Sequence, residues 1–393
     1  MARGSKTKKV VLKNGTTVYR TTVDAGTDPK TGKRKQKLLT ADTKGELERE
    51  AAKILADVAR GTYFEPEKQT FGEYLSYWLE TYKLNLGIRT YETYSMIIDV
   101  HLKPALGNIP LAKLLPAHIQ QYYTEALANG RKDNKKTVGR GLTGCTVLKH
   151  HRLIREALHH AVKWELLLRN PAEAVQAPKR ERVKIETLTR PEIDAMPRAT
   201  KDTYLYMPTF LSSGTTMRLG EVLGLPWTDV NLKGEAYLSV TQTLKETKDG
   251  RLHFGPPKSK SSRRRIDLSP EVVVELKAHK KSQAAEKLAA GPAYQDHGLV
   301  CCLQDGRPIP PFNAGSYWRD VAKRVLGRDA HFHMLRHTAA TMMLEQGEPI
   351  KRVSEMLGHA SIALTGDTYG HVTPAGRKHA ANTLGRAMFG AEE

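Results

Sequence analysis

From about residue 66 to about residue 180 the chain reads almost entirely as helix, which rules out one continuous sheet as the framework of the whole. TFGEYLSYWLETY places Phe71, Tyr74, Leu75 and Trp78 on one face. A second helix is expected around TYETYSMIIDVHLKPAL and a third around PAHIQQYYTEALANG. Thr146 begins a fourth, whose stripe of Val147, His151, Ile154, Leu158 and Ala161 runs into Trp164 until Asn170-Pro171-Ala172 stops it. The pattern is that of a helical bundle. A chain of 393 residues is too long for one ordinary core, so the bundle is one domain of two or three.

The flanking segments differ from it. Before the bundle, a basic tail with Arg3, Lys6, Lys8 and Lys9 leads into strand-like pieces around VVLKNGTTVYRTTVDAG, with Asn14-Gly15 as a hairpin signal. DPKTGKRKQKLL supplies another turn and a third strand candidate. Thr43 then caps a helix from Lys44 to Arg60 with Leu47, Ala51, Ile54 and Val58 as its apolar stripe. Lys13, Arg20, Lys30, Lys33, Arg34, Lys35 and Lys37 outnumber Asp24 and Asp28 on these strands. Such a run fits a solvated face or a surface that grips a polyanion. After the bundle, APKRERVKIETLT is a charged linker to a domain that mixes helices and strands. A helix at YLYMPTFLSSG comes first, then strands AYLSVTQT and RRRIDLS flanking the turn GPPKSKSS. Ser269-Pro270 opens a long helix toward Ala290, and residues 312 to 326 form another. The expected fold is multidomain α+β. Residues 1–65 make a small three-stranded sheet with one helix, 66–178 an all-helical domain, and 179–393 a mainly helical domain with a small antiparallel sheet.

A formal net charge of +20 implies a polyanionic partner, because each Lys or Arg that neutralises a phosphate releases condensed counterions. Charge alone would also fit an RNA-binding protein. Cys145, Cys301 and Cys302 form neither a disulfide framework nor paired C-x-x-C ligands, which points to a reducing cytoplasm. No run approaches the length needed to span a bilayer, and no signal-peptide core is present. The basic loop RKDNKKTVGRGLTG lacks the G-K-[ST] ending of a nucleotide-binding loop, so nothing points to ATP.

The densest chemistry lies between Ala330 and Val372. HMLRHTAATMMLEQG reads as a helix with Leu335, Ala339, Met342 and Met343 as its apolar positions, Gly347 as its stop, and His333 and Arg336 on a shared face. Pro349 suits the first turn of a second helix carrying Ile350, Val353, Met356 and Leu357, which ends at Gly358 and presents His359. Ser361 caps a third that delivers Tyr369. His333 and His337 lie four apart like a helical zinc pair, but Arg336 stands where a zinc peptidase needs a glutamate, so no metal is expected.

In this order, H-x-x-R at His333 and Arg336, L-G-H at Leu357 to His359, and Tyr369 ten residues beyond His359, the string resembles the C-terminal signature of the tyrosine recombinases, the phage integrase family. TTMRLGEVLGLPWTDVNL resembles that family's first arginine motif, at Arg218, Glu221, Leu225, Trp227 and Asp229, with Thr216 where glycine is usual. T-F-x-E-Y-L at Thr70 to Leu75 and N-P-A at Asn170 to Ala172 are similar to the ends of its core-binding domain. The resemblance implies a site-specific recombinase that uses no cofactor and no metal. Tyr369 would attack a DNA phosphodiester to give a 3′-phosphotyrosine, with Arg218 and Arg336 as bidentate forks on its oxygens, chemistry that lysine cannot match. His333 would accept the phenol proton, His359 would bond the phosphate, and Lys258, with Lys260 as runner-up, would protonate the departing 5′ oxygen. It implies as partners double-stranded DNA attachment sites, a homotetramer on DNA, bending or directionality factors, and no membrane. Residues 1–65 would bind separate arm-type sites. The tail stripe of Ala380, Ala381, Leu384, Ala387, Met388 and Phe389 would either fold back or dock on a neighbouring copy. The alternatives are a type IB topoisomerase, which relaxes DNA without exchanging strands, and a silent DNA-binding protein of the same fold.

Overall fold

The computed structural model describes residues 7–11, 17–27, 34–59, 69–132, 139–179, 185–257, 259–369 and 374–389. The chain divides into two compact units, Met1–Arg182 and Val183–Glu393, with the division inside the charged linker.

The first unit holds two separate hydrophobic cores. β1 (Lys8–Val11), β2 (Thr17–Thr27) and β3 (Arg34–Ala41) form an antiparallel sheet in that order, covered by α1 (Lys44–Ala59). Thr43 Oγ1 accepts the Glu46 N–H at 3.3 Å, the expected cap. Leu47 and Ile54 of α1 bury against Val23 and Leu39 of the sheet. Asn14-Gly15 and the turn from Asp28 to Lys33 lie outside the described residues.

The second core belongs to the bundle. α2 (Phe71–Tyr82) opens on a capping box in which Thr70 Oγ1 accepts from the Glu73 N–H and the Glu73 carboxylate accepts from the Thr70 N–H. Phe71, Tyr74, Leu75 and Trp78 are fully buried. α3 (Ile88–Ile97) continues through a π turn at Ile98–Leu102 into α4 (Lys103–Leu106). Pro104 has no N–H to offer the Val100 carbonyl four residues before it, which widens the helix here. Lys132 Nζ donates to that carbonyl at 3.3 Å instead. α5 (Pro116–Asn129) and α6 (Gly144–Lys163) complete the bundle. α6 starts before the expected Thr146: Thr143 is extended and its hydroxyl caps the Thr146 N–H, making Thr146 the third residue of the helix. Buried polar groups on α6 are paired, His150 Nδ1 with the Tyr122 hydroxyl at 2.7 Å and His151 Nδ1 with the Tyr123 hydroxyl at 2.9 Å.

The second unit begins with α7 (Arg190–Thr200), α8 (Tyr206–Thr215) and the short α9 (Leu219–Leu223). β4 (Val230–Asn231), β5 (Tyr237–Val240) and β8 (Arg264–Asp267) pair in the order β4-β5-β8, with Leu238 opposite Ile266. The sequence reading placed one turn between β5 and β8, whereas a second hairpin stands there, β6 (Thr243–Glu246) with β7 (Leu252–Gly255). α10 (Pro270–Ala290) starts and ends where expected, although the Ser269 hydroxyl bonds no helix amide. α11 (Pro311–Leu326) buries Trp318 in the main core.

α12 (His333–Glu345) departs from the single stripe read in the sequence. Met334, Leu335, Thr338 and Ala340 are buried, while Ala339, Met342 and Met343 are only partly so. The helix lies between two cores, giving Met334 and Leu335 to the main one and Ala340 to a smaller cluster with Val353 and Leu357 of α13 (Ile350–Leu357). α13 ends at Gly358, whose φ of +64° requires glycine's freedom. In α14 (Ile362–Tyr369) the Ser361 hydroxyl accepts the Ala363 N–H at 3.0 Å, and α15 (Pro374–Phe389) follows. No helix of the described residues is long and apolar enough to cross a membrane.

Candidate active site

The site is assembled on the turn after α8. Thr216 there adopts φ +58° and ψ +13°, the left-handed conformation for which glycine is the ordinary choice. A β-branched residue so placed costs about 1–2 kcal/mol. Its surroundings offset this: the Thr216 hydroxyl donates to the Met356 carbonyl at 3.2 Å, and its carbonyl accepts Arg336 Nη1 at 2.7 Å. Thr216 thus holds a left-handed turn at this position without glycine.

Arg218 is the N-cap residue of α9, and Glu221, one turn on, is only 3% exposed. Glu221 Oε1 takes Arg218 Nη1 at 2.7 Å, while Oε2 takes the Arg218 N–H and Arg264 Nη2, both at 3.0 Å. Burial raises the Glu221 carboxyl, but Arg264 and Arg218 outweigh it and hold it below its usual range, so it stays ionised. Arg264, from β8, also donates Nε to the Met356 carbonyl at 2.7 Å and Nη1 to the Ser262 carbonyl at 3.1 Å. It thereby ties the lysine-bearing turn, the Arg218 helix and the end of α13 together.

Arg336 is 1% exposed and reaches back from α12, with Nη1 on Thr216 and Nη2 on the Leu357 carbonyl at 2.5 Å. Burial, then Arg218 and Arg264, bring it down to about 9, which leaves it charged at neutral pH. Among the described residues, three guanidiniums thus gather around the one carboxylate of Glu221. That surplus of positive charge, in a poorly hydrated place, suits an anion with several oxygens.

Three histidines border it. Burial leads the depression of His333 to about 3 and of His337 and His359 to about 4, with Arg336 adding to each, so all three are neutral at pH 7. His359 Nδ1 lies 2.8 Å from the Thr365 hydroxyl, which fixes its ring. Tyr369 packs beside Val353 and Leu357; burial raises its phenol while Arg336 and Arg218 pull it down, with a net rise. The ring that meets the Tyr369 hydroxyl is His337, whose Nδ1 is 2.7 Å away, and His333 stands edge-on to His337 with ring centres 4.5 Å apart.

Five of the six expected residues, Arg218, His333, Arg336, His359 and Tyr369, therefore belong to one electrostatic cluster. Lys258 lies outside the described residues, and Lys260 begins a short 3-10 turn, Lys260–Ser262. Two contributors escaped the sequence reading. Alternation on β8 marks Arg264, which shares the inward face with Ile266 while Arg265 points out. His337 was weighed only as half of a zinc pair. A concavity of about 760 Å³ elsewhere in this unit, lined by Ile193, Pro197, Phe210, Val272, Ala339 and Met342 among others, includes none of these groups.

A cationic cluster beside a buried tyrosine, on a helical scaffold with a small antiparallel sheet, is the arrangement expected of an enzyme that attacks phosphodiesters with a phenol. Residues 186–375 match the phage integrase family and residues 70–127 the phage integrase N-terminal SAM-like domain. A tyrosine recombinase XerC-like protein of Caldanaerobacter subterraneus subsp. tengcongensis is 28% identical over 95% of this chain and 97% of its own length. The ICEBs1 integrase of Bacillus subtilis is 24% identical over 95% and 98%. Among solved structures, the Tn1549 transposon integrase in complex with transposon right end DNA superposes with a TM-score of 0.64 at 18% identity, covering 80% of this chain and 99% of that one. The lambda integrase tetramer bound to a Holliday junction gives 0.55 at 18% identity over 93% and 96%. The chain belongs to the tyrosine recombinase, or phage integrase, family. It is a DNA breaking-and-rejoining enzyme that carries out site-specific recombination of a mobile element.

Proposed function

We propose that recombination proceeds through a 3′-phosphotyrosine on Tyr369. The Tyr369 oxygen bonds to the scissile phosphorus, the bond from phosphorus to the 5′ oxygen breaks, and Lys258 supplies the leaving oxygen's proton. Arg218 and Arg336 hold the non-bridging oxygens, with His359 as a further hydrogen-bond partner; the sequence reading gave the phenol proton to His333, whereas His337 is the ring at hydrogen-bond distance from the Tyr369 hydroxyl. The observation that carries this reading is the placement of Arg336, whose Nη2 donates to the carbonyl of Leu357, the residue against which Tyr369 packs, beside the Arg218–Glu221–Arg264 cluster. The phosphotyrosine conserves the energy of the broken bond, so a second strand's 5′ hydroxyl reseals it without ATP.

Residues 66–178 are read as the core-site grip and residues 1–65 as the grip on arm-type sites. Supporting the latter, Lys8 pairs directly opposite Arg20 in the sheet, a like-charge juxtaposition that a phosphate backbone would relieve. The protein would act in the cytoplasm as a homotetramer on its DNA attachment sites, with bending or directionality factors as accessories.

Incubation with DNA spanning the genomic junctions beside its own gene tests the whole. Joining of two defined sites is expected, whereas relaxation alone would indicate a topoisomerase and binding alone a silent protein. Tyr369→Phe should bind the site and form no covalent adduct; an adduct trapped on that variant overturns the assignment of the nucleophile.

A further inference from the structure

We propose that His337 is a catalytic residue that accepts the Tyr369 proton as the bond from tyrosine to phosphorus forms. This deepens the reading above and rests on Tyr369 being the nucleophile. A phenol with an ordinary pKa near 10 must shed its proton during attack at neutral pH. A general base has to stand within about 2.6–3.2 Å of the oxygen it serves. His337 Nδ1 does, at 2.7 Å, held there because α12 and α14 share the small core around Ala340 and Val353.

The other candidates are placed differently. The His333 ring stands edge-on against His337, which is the ring at hydrogen-bond distance from the phenol, His359 Nδ1 is spent on Thr365, and Glu221 is occupied by Arg218 and Arg264. Around His337 stand His331, His333 and Arg336 from its own helix and the residues leading into it, and Tyr369 from α14. Burial, Arg336 and His331 keep the ring neutral, so in its Nε2–H tautomer Nδ1 offers a lone pair to the phenol O–H. When a phosphorane with two negative charges rests on Arg218 and Arg336, it offsets those cations and favours an imidazolium one hydrogen bond away. The base thus strengthens as charge develops, which is the condition for lowering the barrier.

The protons balance. In cleavage the phenol proton passes to His337 and the 5′ oxygen takes one from Lys258. In resealing the 5′ hydroxyl returns its proton to the lysine, and His337 gives its own back to the departing tyrosine.

The test is single-turnover adduct formation by the full chain on a nicked core-site duplex whose 5′-hydroxyl fragment diffuses away. His337→Ala removes the acceptor, and His337→Asn keeps a hydrogen-bond acceptor close to the same place without being able to hold a proton. Both should bind the duplex as the parent does, yet form adduct on the order of 10²-fold more slowly at pH 7. Their deficit should shrink as pH rises, because hydroxide then ionises the phenol. A fluorinated tyrosine at position 369, with its lower phenol pKa, should restore much of the rate to His337→Asn. If His337→Asn reacts within threefold of the parent with the same pH profile, or the fluorinated tyrosine gives no rescue, His337 is not the base. Adduct formation by Tyr369→Phe would instead overturn the nucleophile, a separate outcome. Should His337→Ala misfold, the asparagine variant carries the test by itself.

Discussion

Replacing Glu221 with glutamine should destabilise the unit Val183–Glu393 by about 3–5 kcal/mol, although the two side chains have the same shape. The figure follows from which partners water can reach. The Arg264 and Glu221 side chains are only 6% and 4% exposed, so removing the negative charge leaves a buried guanidinium uncompensated. Arg218 is 36% exposed and its pair adds no more than about 1 kcal/mol. Glutamine also turns an N–H₂ toward groups that can only donate. For a domain of this size each kcal/mol moves the melting temperature by about 2–4 °C, so a fall of about 6–20 °C is expected. Calorimetry of the full chain, with amide exchange to locate the loss to α9 and β8, measures it. The pH dependence gives a second reading. Glu221 has a folded pKa below its ordinary 4.5, so its stabilisation is complete above that value and is lost as pH falls through the lower one. Glu221→Gln should lack this acid-dependent component. A variant that melts within about 2 °C of the parent, with an unchanged acid limb, would refute the claim that this carboxylate holds the arginine cluster together.

Other outcomes are equally direct. A substrate with a 5′-bridging sulfur, which needs no proton to leave, should largely rescue cleavage by Lys258→Ala; rescue of Lys260→Ala instead would move the acid two residues along. Ending the chain after Arg377 removes Leu384, Met388 and Phe389, which are 63%, 66% and 86% exposed, and should reduce tetrameric synapsis more than single-site binding if they dock on a neighbouring copy. Unchanged synapsis would return that helix to its own domain. A chain beginning at Glu67 should cleave a core site yet recombine poorly on DNA with full arms. Alanines at Lys33, Arg34, Lys35 and Lys37 should flatten the log–log salt slope of arm binding by up to about 3.6, at about 0.9 for each phosphate contact. Equal recombination by the shortened chain would make residues 1–65 a solvated appendage.

What the sequence determined by itself was whatever is encoded within a turn or two of chain. The Thr70 and Thr43 caps, the buried stripe of α2 and α6, and the glycine stop of α13 follow from residues three or four apart, because helix geometry makes those residues neighbours. The order of Arg218, His333, Arg336, His359 and Tyr369 was legible because each falls in a short string. The β6–β7 hairpin was not, since strands of four residues carry little periodicity. It depends on Gly220 and Gly224, where an added Cβ would come within 2.7 Å of the Leu244 backbone, letting α9 lie close against β6. Nor could the stripe of α12 be read, because one helix serves two cores. The pairing of His337 with Tyr369 spans 32 residues, the Arg264–Glu221 bond 43 and the Arg336–Thr216 bond 120. Contacts over such separations have no local signature; they exist only once the path of the folded chain brings distant donors and acceptors to one place, and burial then makes their pairing obligatory.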